Sequence, residues 1–170
     1  MRAGGQCRAA QQRMGTEQVA KYFVFSYPSE GISARALLLE EKAPKTVSTL
    51  WKHAPYQGDA SHAIYSGTTV GLLFDPTIIV PMENATNYVQ IGDVMFTHYE
   101  PNTRFDHPDG VSEIYWAYDR YCRPIMPGVG MLVYPNVFGK MVGDYQAFSD
   151  ASRKIASAGT RKMTITALTE

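Results

Sequence analysis

The sequence predicts a mainly β protein: a closed or nearly closed eight-stranded barrel with two helices. Three observations lead there. About eight short strand candidates are separated by clusters of Gly, Pro, Asn and Asp. Only two stretches carry helical periodicity, one early and one late. Eleven tyrosines and 12% aromatic residues favour pleated, half-buried strands. Many strands with so few helices point to a sheet closed on itself.

The elements follow in order. Tyr22 to Phe25 is a short apolar strand, and Ser29-Glu30-Gly31 supplies turn chemistry. Ile32 to Glu41 is a second strand, in which the run Ala36 to Leu39 suggests burial on both faces. Pro44 suits the first position of a helix, where its missing N–H costs nothing. Ala43, Val47, Leu50, Trp51 and Ala54 form one apolar face at helical spacing, and Pro55 ends the helix. No Ser, Thr or Asp caps its start.

Gln57-Gly58-Asp59 reads as a turn, followed by a strand pair, His62 to Ser66 and Val70 to Phe74, hinged at Gly67. Pro76, Pro81 and Asn84 make 75–90 a long loop or an irregular arm. Asp93 to Tyr99 is a strand, and Glu100 to Gly110 a second long loop. Glu113 to Tyr118 is an aromatic strand with Ile114, Trp116 and Tyr118 on one face and Glu113, Tyr115 and Ala117 on the other. Pro124 to Gly130 is turn-rich, and Met131 to Val142 holds one or two strands broken at Pro135-Asn136. Asp144 caps a second helix running to Ala158, with Phe148, Ala151, Ile155 and Ala158 in period and Gly159 as its stop. Arg161 to Leu168 alternates as the last strand.

The 170 residues divide into an extension, 1–18, and a single domain, 19–170. The extension carries Arg2, Arg8 and Arg13 without an apolar core, so it is expected to be disordered rather than a secretory signal. Met14 is an alternative start within it. Lys+Arg and Asp+Glu are both 16, which argues against nucleic acid as a partner. No apolar run reaches membrane-spanning length, so no membrane partner is expected. Two unpaired cysteines, Cys7 and Cys122, suit a reducing cytoplasm, where the Asn84-Ala85-Thr86 acceptor pattern has no use.

The run Leu38 to Val47, with Ala43-Pro44-Lys45-Thr46-Val47 at its centre, resembles the passage from second strand to first helix in cyclophilins. Gly92-Asp93-Val94 is a further likeness. Pro55-Tyr56, Gly58, Ala60, His62-Ala63 and Tyr65-Ser66-Gly67 resemble a bacterial cyclophilin-like branch of unknown function. The resemblance implies an eight-stranded barrel with its ends covered by two helices. It also brings in an activity, prolyl isomerisation, for which this chain is without the key residue. Isomerases carry Phe-His-Arg before a hydrophobic residue after the first helix, and the Arg stabilises the twisted amide. Here Ser61-His62-Ala63-Ile64 stands there, with Ala63 in the place of the Arg. Gln90-Ile91-Gly92-Asp93 is only a partial echo of the Gln-Gly-Gly-Asp segment. Without a pre-placed cation little remains to stabilise a twisting amide, so isomerase activity is not expected.

Chemistry-bearing residues are few. His62 reads first as a hydrogen-bonded barrel histidine and second as an imidazole facing a ligand. Glu113, Tyr115, Trp116 and Tyr118 read as core or as the walls of a pocket. His98 ends a strand near His107, but no metal-ligand spacing occurs, and neither metal nor cofactor is expected. Cys122 lies between Arg120 and Arg123, yet no base is placed for it, so it reads as an ordinary half-buried thiol. The leading expectation is a small-molecule ligand in an aromatic pocket lined by His62, Tyr65, His98, Glu113, Tyr115, Trp116 and Tyr118. Two long loops on a rigid barrel support it. A structural module forming a homo-oligomer is the second expectation, and weak isomerase activity the third.

Overall fold

The computed structural model describes residues 19–126, 128 and 130–170. The extension over 1–18 lies outside them. The elements are β1 (Lys21–Tyr27), β2 (Ile32–Leu38), α1 (Pro44–His53), β3 (Tyr56–His62), β4 (Thr69–Phe74), β5 (Asp93–Tyr99), β6 (Val111–Ala117), β7 (Asn136–Val142), α2 (Gln146–Ala158) and β8 (Arg161–Thr169). The strands close into a barrel in the order β1-β2-β7-β5-β6-β4-β3-β8, every neighbour antiparallel. Closure leaves no unpaired edge.

Alternation along β1 fills the interior. Phe23, Phe25 and Tyr27 point inward and are fully buried. Phe23 stacks on Trp51 of α1 at 5.9 Å, whereas Phe25 and Tyr27 meet Phe148 of α2 at 6.3 and 4.9 Å. Moving along one strand therefore passes from one helix to the other, which places the helices at opposite ends of the barrel. Ser152 ties the α2 end together. Its hydroxyl donates to the Phe148 carbonyl at 2.9 Å and accepts from Trp116 Nε1 at 3.2 Å. With its one proton used, its 3.0 Å contact with Tyr27 has the tyrosine as donor.

The start of α1 is satisfied from a distance. Pro44 occupies the first turn and no local side chain caps it. Glu83, in the 75–92 loop, instead accepts from Lys45 N at 3.1 Å and from Thr46 N and Oγ1 at 2.8 and 3.0 Å. Asn136 at the head of β7 joins them, donating to Thr46 Oγ1 and to the Pro81 carbonyl. Burial works to raise the Glu83 carboxyl, but these donors win and hold it below its ordinary range.

Several boundaries differ from those the sequence predicts. β3 starts at Tyr56, so Gln57-Gly58-Asp59 is strand rather than turn. These residues pair with β8, and a Cβ on Gly58 would sit 2.9 Å from Leu72 Cδ1. The glycine marks close packing, not a reversal. The strand ends at His62, and 63–66 is irregular. β2 stops at Leu38 because Lys42 and Ala43 N–H groups turn back onto the Leu39 carbonyl. Of the Ala36–Leu39 run, only Ala36 and Leu38 are fully buried. β7 begins at Asn136, and α2 begins at Gln146. Asp144 lies outside the cap position but still accepts from Gln146 N at 3.1 Å.

Candidate functional site

The alternation of β6 decides which side chains meet solvent and which fill the barrel. Ile114 and Trp116 face inward into the main core. Glu113, Tyr115 and Ala117 face outward, yet are not exposed, because the long loops fold over this side of the barrel. Tyr115 and Ala117 form a second apolar cluster there with Met95 and Val137, against Leu39, Val89 and Cys122. Between the outer face of β3, β4, β5 and β6 and the covering loops lies a cavity of about 290 Å³.

Beneath Glu113 the outer face of β4 carries a glycine. Gly71 on β4 pairs with Ser61 on β3 and Tyr115 on β6. A Cβ there would lie 2.4 Å from Glu113 Oε1 and 3.1 Å from Tyr115 Cβ. The missing side chain is what lets the Glu113 carboxyl lie across the strand. Leu73, Ile64, Phe105, Ile125 and Val133 supply apolar walls.

The polar groups converge from three elements. The Tyr99 hydroxyl at the end of β5 donates to Glu113 Oε2 at 3.3 Å. Arg104, from the 100–110 loop, holds Nη1 at 3.6 Å from the same oxygen and lies over the Tyr99 ring at 5.1 Å. Arg104 is itself held by Asp106 through two hydrogen bonds, of 2.7 and 3.1 Å. His107 Nδ1 stands 3.3 Å from that carboxylate. Tyr115 closes the other side, its hydroxyl 2.9 Å from Thr97 Oγ1.

Burial sets the protonation of this group. It pushes the Glu113 carboxyl above its ordinary range; Arg104 and the Tyr99 hydrogen bond oppose the rise without cancelling it. It likewise raises Tyr99 and Tyr115. Asp106 goes the other way, held low by the Arg104 guanidinium. Two carboxyls that share Arg104 are thus driven in opposite directions, the arrangement that suits proton exchange or selective hydrogen bonding. Thr69 Oγ1, also on the cavity wall, is buried without a hydrogen-bond partner.

Of the residues singled out in the sequence, His62, Tyr65, Glu113 and Tyr115 line this cavity. His62 is doubly bonded, Nδ1 at 2.8 Å from the Ala63 carbonyl and Nε2 at 2.7 Å from the Tyr118 hydroxyl. Tyr65 is a half-exposed rim residue. Trp116 packs inside the barrel, away from the cavity. Tyr118 borders a separate depression with Asp119, Tyr145 and Arg153. His98 is half-buried beside Phe96, on the other face of β5 from Tyr99. Cys122 is half-buried, and burial, with Asp93 adding, pushes its thiol up to about 12, so the flanking arginines do not activate it. Among the described residues no three His, Cys, Asp or Glu side chains converge to hold a metal ion.

Tyr99, Arg104, Asp106 and Thr69 line the cavity, and Gly71 seats Glu113, without any of them having been singled out. A glycine inside the apolar run Val70 to Phe74 is the readable signal of a close approach. Arg104-Phe105-Asp106 is visible only as charge and aromatic character within a long loop.

Comparison with known proteins locates the chain by fold. No curated protein matches it. The solved structure of McbB in complex with tryptophan is similar over 85% of this chain at 18% identity, with a TM-score of 0.59. This chain spans 44% of that one, less than half its length. The solution structure of the hypothetical protein AF2241 from Archaeoglobus fulgidus is matched over 90% of this chain and 98% of that one, at 17% identity and a TM-score of 0.49. At these identities the likeness concerns the fold. Residues 25–167 match the model of a family described as a protein of unknown function, DUF3830, and the chain belongs to that family.

Proposed function

We propose that this protein is a cyclophilin-like barrel that binds a small molecule in the cavity beside Glu113 and lacks peptidyl-prolyl isomerase activity. The observation that carries the reading is Glu113, a half-buried carboxyl on an otherwise largely apolar cavity wall, whose Oε1 is seated over a bare glycine backbone. A cavity of about 290 Å³ lies at the small end of ligand sites, which run from roughly 300 to 1,000 Å³. The ligand is therefore metabolite-sized rather than a peptide. Few converging polar groups among apolar walls are what such sites use for orientation.

The absence of isomerase activity rests on the cations. Ala63 lies at the cavity wall where the resemblance places an arginine. Arg104 is the guanidinium present, and Asp106 occupies it with two hydrogen bonds. A paired cation has little field left to stabilise a twisting amide.

A thermal-shift screen with small amines, amides, carboxylates and nucleosides tests the binding reading. Stabilisation by at least one class is expected, and indifference to all of them contradicts it. A second reading, self-association, is favoured by one observation. Tyr88, Tyr121, Leu132 and Tyr134 are exposed and flank a shared shallow groove. Light scattering separates the two: a monomer that responds to ligands favours binding, and a tight oligomer indifferent to them favours association.

A further inference from the structure

We infer that the cavity selects ligands carrying a basic amine, which Glu113 Oε1 receives, on an apolar body that reaches toward Thr69. The inference rests on the reading of the cavity as a ligand site and names the chemistry the site takes.

Charge balance comes first. Arg104 and Asp106 neutralise each other through two hydrogen bonds. Glu113 remains, and its Oε2 is used by Tyr99 and approached by Arg104. Oε1 is the oxygen that lies over Gly71, and no group among the described residues hydrogen-bonds it; Glu113 itself lines the cavity. An anionic ligand would meet Glu113 with no free cation to receive it, since the guanidinium lining the cavity is engaged by Asp106. A cationic donor would instead offset the charge that Glu113 carries when ionised, through a charge-assisted hydrogen bond.

The second anchor is Thr69. It faces the same side of β4 as Gly71, two residues away, which is about 7 Å along the strand. Its hydroxyl is buried without a partner, an arrangement that costs free energy unless something bonds to it. The same cavity is walled by the apolar side chains of Ile64, Leu73, Phe105 and Ile125. The fitting molecule has an ammonium at one end, an aromatic or branched apolar middle, and a small polar group roughly 7 Å away.

The charged and titratable groups coupled to Glu113 are Tyr99 from β5, Arg104, Asp106 and His107 from the 100–110 loop, and Tyr115 on β6 itself. β4 contributes only Gly71 and Leu73, which do not titrate. Because burial disfavours the ionised carboxyl, amine binding competes with the proton on Glu113 as pH falls, and affinity is expected to rise with pH until the amine itself loses its charge.

The test is calorimetric titration of the full chain with phenethylamine, phenylpropionate and phenethyl alcohol, three probes of one shape that differ in charge. Phenethylamine is expected to bind most tightly, and Glu113→Gln to weaken it roughly tenfold or more, as loss of a charged hydrogen bond does. Phenylpropionate or the alcohol binding wild type as well as the amine overturns the inference while leaving the cavity a ligand site. Unchanged phenethylamine affinity in Glu113→Gln overturns it as well. Silence from all three probes, with stabilisation by other classes in the thermal-shift screen, removes the amine assignment alone; silence in both removes the ligand reading too. The wild-type ranking decides the matter even if Glu113→Gln does not fold.

Discussion

Gly71 and Glu113 are fitted to one another across neighbouring strands: a Cβ on the glycine would stand 2.4 Å from the carboxylate Oε1. β4 and β6 pair so that Leu73 opposes Glu113, and the carboxylate leans back over residue 71. Nothing else on the outer face of β4 leaves that space.

Gly71→Ala should therefore expel the carboxyl from its seat. Overpacking of this kind costs about 1–3 kcal/mol, and ligand binding should fall further than stability does. Denaturant unfolding beside calorimetry reads the two separately. Full retention of binding in a folded Gly71→Ala protein would contradict the role given to the glycine.

Glu113 makes stability depend on pH with a definite sign. Burial raises its folded pKa above the ordinary value of 4.5. The stabilisation from keeping it neutral is fully present below that unfolded value and is lost as pH rises through the folded one. Glu113→Gln has no proton to lose. Its Tm relative to wild type should climb as pH is raised from below 4.5 toward neutrality. A difference that stays flat with pH would show that the carboxyl is not held neutral.

Glu83 acts as the cap of α1 although it lies 37 residues beyond Thr46 in sequence. Glu83→Ala should cost about 1 kcal/mol, the ordinary cost of losing an N-cap acceptor. The loss should also free the loop around Pro81, since Asn136 and Thr46 belong to the same network. Chemical denaturation gives the first number and amide exchange at Thr46 the second. Unaltered protection at Thr46 would mean that other groups cap the helix.

In a protease-coupled peptide assay the wild-type chain should show no prolyl isomerisation above background. Ala63→Arg tests the missing cation directly. Wild-type turnover at the rates of working cyclophilins would overturn the assignment.

The barrel was legible because its signals are local. The apolar face of Val47, Leu50 and Trp51 needs only helical period, and the alternation of Glu113 to Tyr118 needs only strand period. Both hold in the structure, with Trp116 inward and Tyr115 outward. Reading Gln57-Gly58-Asp59 as a turn failed for the opposite reason. Its composition is that of a turn, but β8 and Leu72 pack against it from the far end of the chain and from the next strand. Tertiary pairing overrode local preference. The site was half legible on the same grounds. Glu113 and Tyr115 share a strand face that alternation predicts. Tyr99, Arg104 and Thr69 join them only through strand order and loop folding, which no spacing in the sequence encodes.

The most direct test of the ligand site is amide chemical-shift mapping of the isotope-labelled protein with whichever compound stabilises it best. Binding as described perturbs residues 61–73, 99–106 and 113–115 together, with Gly71 among them. Perturbations confined to the groove around Tyr88, Tyr121 and Tyr134, leaving Gly71 and Glu113 unmoved, would contradict the account.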